Sequence, residues 1–196
     1  MKVLIATHNQ GKFREMASFI KTWGLKPLSL ADLSIKDDVE ETGSTFEENA
    51  LIKSMYFCQK TNFPTVADDS GLEIDALAGA PGIKSRRWKG YKMTDQEMID
   101  YTLEVMKDIP EKDRTCHMVC VVSLILPDMR EFTVRASLDG TITEAQMLPV
   151  EPGYPFRSIF YVPELDKMLG DLTADEHKKI NHRLKALSKL KCHLCR

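Results

Sequence analysis

The chain has 196 residues, 43% of them hydrophobic and 29% charged, with a formal net charge of −2. That length supports one sizeable domain or two small lobes around a cleft. The near-neutral balance argues against a dedicated nucleic-acid binder, which carries a basic excess, and no run approaches the ~20 apolar residues of a membrane span.

Residues 2–7, KVLIAT, are a short apolar run with β-branched members, the pattern of a buried strand. The turn HNQGK leads into a helix with Phe13, Met16, Ala17, Ile20 and Trp23 on one face, ended by Gly24. KPLSL returns as a second strand, giving a β-α-β opening and a parallel or mixed sheet. STFEENALIKSMYFCQK reads as a second helix, capped by Ser44 or Thr45 with Glu47 or Glu48 three residues on. TVADDSGLEID suggests strand, turn and short strand. TDQEMIDYTLEVMKDI is helical, with Thr94 as its N-cap. RTCHMVCVVSLIL and EFTVRASLDGTIT are two strands joined at PDMR, SIFYV is another, and TADEHKKINHRLKALSKL closes as one helix with Ile180, Leu184 and Leu187 on one side. The expected architecture is α/β: a mixed sheet with flanking helices, one domain over residues 1–196 with no separate linker. The opening residues do not form a signal peptide, so the cytoplasm is the expected location. Five cysteines describe no disulfide framework. Cys192 and Cys195 would give a zinc ion only half its ligands, and a frayed tail with free thiols is the simpler reading.

Polarity is placed against this pattern in three places. At the strand-to-helix turn, Thr7 to Lys12, exposed N–H groups and the helix dipole can hold an anion; Thr7, His8 and Asn9 add side-chain donors, Gly11 lets the backbone approach and Lys12 adds charge. The same turn also reads as a plain helix cap. Lys53 falls within an apolar stripe, where it either snorkels outward or points into a cleft. The stretch VADDSGLEIDALAGAPG holds Asp68, Asp69, Glu73 and Asp75, and Glu40 and Glu41 stand upstream. These are either a solvated acidic loop or the oxygen donors of a magnesium ion, which takes one or two carboxylates alongside phosphate and water.

The blocks THNQGK, EETGSTFEENALIKS and ADDSGLEIDALAGAPGIKSRR resemble the three signature blocks of the inosine triphosphatase family, the noncanonical purine nucleoside triphosphate pyrophosphatases. The resemblance covers nearly the whole chain. It implies an elongated mixed β-sheet with flanking helices, two lobes around a central cleft, and a homodimer. It implies Mg2+-dependent hydrolysis of ITP, dITP or XTP to the monophosphate and pyrophosphate; the charge balance and hydropathy add the expectation of no nucleic-acid or membrane partner. By matching position, Thr7, His8, Asn9, Gln10, Gly11 and Lys12 would cradle the triphosphate and Lys53 would neutralise it. Glu40 and Asp69 would hold the metal, Asp69 would also accept the proton of the attacking water, and Ser70 would touch the substrate. Asp75 reads as a turn residue.

The base-binding blocks depart from the family. Its G-F-G-Y-D-P-x-F corresponds here to GYPFRSIF, residues 153–160, which keeps aromatics at Tyr154 and Phe156 but has Arg157 where the family has Asp. An Asp accepts hydrogen bonds and an Arg only donates them. On the last helix the family's K-N-x-x-S-H-R becomes HKKINHR, with His177 for Lys and Asn181 for Ser, while His182 and Arg183 are kept to face the base. Arg86 stands where the family has a small Ala. The phosphate half thus looks intact and the base half altered. A pyrophosphohydrolase with a shifted base preference, or a nucleotide-binding protein without turnover, are the alternatives.

Overall fold

The computed structural model describes residues 1–195. Seven strands form one mixed sheet in the order β2-β1-β3-β4-β5-β6-β7. They are β1 (Lys2–Ile5), β2 (Lys26–Ser29), β3 (Thr65–Ile74), β4 (Thr115–Ile125), β5 (Glu131–Ile142), β6 (Phe160–Val162) and β7 (Lys167–Met168). β1 pairs in parallel with both β2 and β3, while β6 pairs antiparallel with β5 and β7. The parallel pairs need crossovers, supplied by α1 (Gln10–Lys21) and α2 (Phe46–Thr61). The remaining helices are α3 (Asp95–Met106), α4 (Ala174–Ile180), α5 (His182–Lys189) and α6 (Lys191–Leu194). Among the described residues no helix is long and apolar enough to cross a membrane.

The chain divides into two compact units. The first comprises residues 1–69, 120–136 and the segment from 182 onward; the second comprises 70–119 and 137–181. In the first unit the period-2 alternation of a strand sorts β1 into two cores. Val3 and Ile5 pack with Met16 and Ile20 of α1 and Leu187 of α5, whereas Leu4 and Ala6 pack with Leu28 and Phe57 of α2. On β3, Val66 joins the first cluster and Ala67 the second, so the strand carries Asp68 toward α1 and α5 and Asp69 toward α2.

The second unit has its own core, built from Leu72, Ile74, Met98, Ile99, Met106, Phe156 and Phe160 among others. Arg114 is buried there, its guanidinium donating to the carbonyls of Met106, Ile109, Ile142 and Thr143 at 2.6–3.2 Å. Two of those carbonyls, Met106 and Ile109, lie at or just beyond the end of α3, where a helix leaves acceptors unpaired.

Several local expectations need correction. β3 runs unbroken through Gly71, because Leu72 and Ile74 are fully buried and the Leu72 amide donates to Ser85 Oγ at 3.0 Å. The turn comes only at Asp75. The last helix is three: Asn181 leaves the helical region at ψ 107 between α4 and α5, and α6 follows. The tail is not frayed, since Leu194 is buried and Cys195 packs against the first unit's core. All five cysteines are free thiols. The caps are as expected, with Thr45 rather than Ser44 accepting from the α2 backbone and Thr94 closing a full capping box with Glu97.

Candidate active site

The sequence places Asp68 and Asp69 side by side, and the pleat separates them. Asp68 is wholly enclosed, its Oδ2 2.9 Å from Lys12 Nζ and 3.1 Å from Arg183 Nε. Arg183 in turn holds Glu15 at 2.6 Å. Burial alone pushes the Asp68 carboxyl up, but Lys12 and Arg183, with a contribution from Lys53, hold it well below the usual carboxylate range. The Cys120 thiol, 3.8 Å away, is pushed up to about 12 by the same burial and stays a thiol.

Asp69 faces the other way. Lys53 reaches in from α2 with only 15% of its side chain exposed, ion-paired to Glu41 and lying 3.8 Å from Asp69 Oδ1. Burial opposes the Lys53 charge, yet Asp69, Glu41 and Asp68 together raise its pKa, so it is an ammonium. Asp69 is raised from the ordinary carboxylate value, first by burial and then by Glu41, with Lys53 and Lys12 working against them. Of the two readings of Lys53, the inward one is the one realised.

Glu41, not Glu40, is the acid brought to this group; Glu40 stands beside it on an exposed segment. The choice depends on how the loop before α2 lies, which Gly43 fixes by donating its amide to Asn49 Oδ1 at 2.8 Å. No spacing rule distinguishes the two glutamates. Further along, Asp37 accepts hydrogen bonds from Tyr56 and Lys60 and its carbonyl lies 2.7 Å from His8 Nε2, so His8 helps tether the same loop.

At the β1–α1 turn, Asn9 Oδ1 accepts from the amides of Gly11 and Lys12 at 2.8 and 3.2 Å, and Thr7 Oγ1 accepts from Asn9 N. Gln10 begins the helix. The cap reading is therefore the one seen in this state, and Lys12 is directed at Asp68. Ser70 follows Asp69 on β3 as the first residue of the second unit.

The base-half residues are distributed between the units. Tyr154, Phe156, Arg157 and His177 lie in the second; His182 and Arg183 begin α5 in the first, both buried. Phe156 is a core residue, 5% exposed, and offers no open ring face. Tyr154 instead carries the Arg157 guanidinium over its ring at 3.9 Å. Asp75 does not join Asp69. Asp75 accepts from Thr115 Oγ1 at 2.5 Å and lies 3.1 Å from His117 Nε2, with Asp139 on the other ring nitrogen. Asp68, Asp69 and Asp75 thus stand in three separate charge arrangements, and Glu41 is the acid that shares Lys53 with Asp69. Among the described residues no group of three or more His, Cys, Asp or Glu side chains is placed to hold a metal ion.

The sequence profile of the Ham1 family matches residues 3–193. The chain belongs to the Ham1 family. It is 39% identical over 189 residues to the dITP/XTP pyrophosphatase of Bacillus subtilis, covering 96% of this chain and 94% of that one. It is 40% identical over 195 residues to the dITP/XTP pyrophosphatase of Escherichia coli, covering 96% and 95%. Among solved structures, the Ham1 protein of Staphylococcus aureus superposes with a TM-score of 0.84 at 36% identity, covering 99% of this chain and 98% of that one. The HAM1 protein of Coxiella burnetii gives 0.86 at 33% identity, with the same coverage. The α/β fold expected from the sequence is the fold of these Ham1 structures.

Proposed function

We propose that this Ham1 family member is a nucleoside triphosphate pyrophosphohydrolase that clears noncanonical purine nucleotides such as dITP, ITP and XTP from the cytoplasmic pool, acting as a homodimer with Mg2+. The curated relatives, named for that activity, match over nearly their full lengths. The observation that carries the reading is the inward-directed Lys53 between Asp69 and Glu41. A cation directed inward between two carboxylates has a use when a polyanion and a divalent metal are to be bound together.

The donor set fits magnesium: Asp69 and Glu41 supply hard oxygens, two carboxylates being the number the ion takes when phosphate and water complete its shell. Bound there, the metal would polarise phosphate oxygens and lower the pKa of a bound water. Lys53 would neutralise the triphosphate from its inward position. Asp69, whose carboxyl is held above its ordinary value, is the better proton acceptor for the attacking water because of that environment. Glu41, which pairs with Lys53, would take the metal-holding role in place of Glu40. The β1–α1 turn would take the phosphate tail once Asn9 yields the Gly11 and Lys12 amides, with Thr7, His8 and Gln10 framing it. Ser70 would touch the substrate next to Asp69. By matching position in the family blocks, Tyr154, Arg157, His177, His182 and Arg183 would meet the base.

The test is a nucleotide panel with Mg2+, scored for pyrophosphate against orthophosphate. Pyrophosphate from ITP, dITP or XTP, lost on chelation and reduced at least a hundredfold in Asp69→Asn and in Glu41→Gln but not in Glu40→Gln, is the expected result. Orthophosphate as the product, or an active Asp69→Asn enzyme, would overturn the reading. Nucleotide binding without any product would leave a binding protein instead.

A further inference from the structure

The proposed chemistry leaves one charge arrangement of the second unit unused. β3, β4 and β5 are neighbours in the sheet, and His117 of β4 reaches to both sides. Its Nδ1 lies 2.8 Å from Asp139 Oδ1 of β5, and its Nε2 lies 3.1 Å from Asp75 Oδ1 at the end of β3. A carboxylate accepts and does not donate, so both ring nitrogens donate and the ring is an imidazolium. Glu73, two residues before Asp75, adds a third carboxylate to the same side of β3 by strand parity. Asp75 also opens a closed turn. Its carbonyl accepts the Ala78 amide at 3.0 Å, the Gly79 amide donates to the Ile74 carbonyl at 2.9 Å, and the Ile74 amide donates to the Ala80 carbonyl at 3.2 Å.

We propose that His117 is a pH-sensitive clasp: protonated, it ties the end of β3 to β5, and on losing a proton it releases Asp75 and loosens the turn over residues 75–80. A neutral imidazole keeps one N–H. It keeps that proton on Nδ1, where the contact with Asp139 is shorter, because Asp75 has a second donor in Thr115 Oγ1 at 2.5 Å. Nε2 then turns a lone pair toward Asp75 Oδ1, and two acceptors that face one another separate. Water reaches the group, since 34% of the His117 side chain and 50% of that of Asp75 are exposed, so the proton leaves without unfolding of the unit. The hydrogen bond to Asp139 raises the His117 pKa above the ordinary 6.5; burial opposes this and Asp75 adds to it. A raised folded value means that the clasp's contribution is complete below 6.5 and is lost as pH rises through the folded pKa.

The test is nuclear magnetic resonance on the 15N-labelled full chain between about pH 5.5 and pH 9, with His117→Gln assigning the ring signal. His117 should titrate above 6.5, with its neutral form protonated on Nδ1, and Asp139→Asn, which leaves the ring in place, should lower that pKa. Amide exchange of Ala78 and Gly79, corrected for the intrinsic pH dependence, should speed up about fivefold across the titration, the worth of one exposed ion pair. In His117→Gln the corrected rates should not change with pH. If His117→Gln does not fold, Asp139→Asn carries the test, its exchange step moving to lower pH with the His117 titration. Turn protection that stays constant while His117 titrates overturns the clasp. So does a neutral ring protonated on Nε2, which would release Asp139 instead, or a His117 pKa at or below 6.5.

Discussion

Removing the charge of Asp68 should cost the fold more than removing that of Asp69, although the two are adjacent. Asp68 is the fully enclosed, shared counter-ion of Lys12 and Arg183, and breaking such a buried group costs about 3–5 kcal/mol. Asp68→Asn should therefore lower Tm by on the order of 10 °C, read by scanning calorimetry at neutral pH. Its folded pKa lies below the unfolded value of 3.8. The stability it contributes is thus present above that value and is lost as pH falls through the ordinary carboxylate range toward the depressed one. Wild type should lose stability more steeply than Asp68→Asn between about pH 5 and pH 2. Asp69 has the opposite sign: its folded pKa is raised, so its ionisation reduces stability as pH rises through that value. Metal-free Asp69→Asn should melt no lower than wild type. Equal losses in the two variants would contradict the separation of these carboxylates. Lys12 was legible in the sequence as charge at an anion-holding turn and Lys53 as a cation within an apolar stripe, while Arg183 stood out only through the family resemblance. Which partners they take was not, because that is decided by strand parity and by residues more than a hundred positions apart.

Two glycines act at the scale of elements, through the absence of a Cβ. A Cβ on Gly43 would stand 2.6 Å from Glu48 Cβ and 2.7 Å from Asn49 Oδ1, so only glycine lets the acidic loop lie against the first turn of α2. Gly43→Ala should push Glu41 away from Lys53. The expected outcome is a native circular dichroism spectrum with activity reduced about tenfold or more; unchanged activity would show that the loop can be displaced without consequence. In the second unit, a Cβ on Gly140 of β5 would stand 2.2 Å from Phe160 Cε1 and 2.6 Å from the Tyr161 carbonyl. Backbone cannot move aside as a flexible side chain can, so Gly140→Ala should cost about 1–3 kcal/mol or more, visible in the denaturant midpoint. An apolar run made β1 readable, periodicity made α1 readable, and capping residues marked α2 and α3. The break at Asn181 was not readable, because HKKINHRLKALSKL is helix-compatible throughout. Tertiary demands override that local preference: Asn181, His182 and Arg183 are all buried, and Arg183 must reach Asp68 on β3.

For the whole molecule, the β-α-β opening and the signature blocks made the fold class readable, but nothing local indicated that the chain forms two units from interleaved segments. β3, β4 and β5 each contribute residues to both, changing unit at Asp69/Ser70, Val119/Cys120 and Ala136/Ser137. A strand cannot lose its order in one half while the other half keeps every ladder bond and buried side chain, so melting either unit exposes the ends of strands that belong to the other core. The units have separate hydrophobic clusters, and by that criterion alone they could melt independently. Covalent continuity through three central strands argues for a single cooperative transition. Thermal unfolding followed at once by calorimetry and by the fluorescence of Trp23 in the first unit and Trp88 in the second should therefore give coincident midpoints, with calorimetric and van't Hoff enthalpies in agreement once any subunit dissociation is accounted for. A Phe substitution at either tryptophan assigns the signal. If the Trp88 signal changes several degrees before that of Trp23, the second unit is an autonomous subdomain.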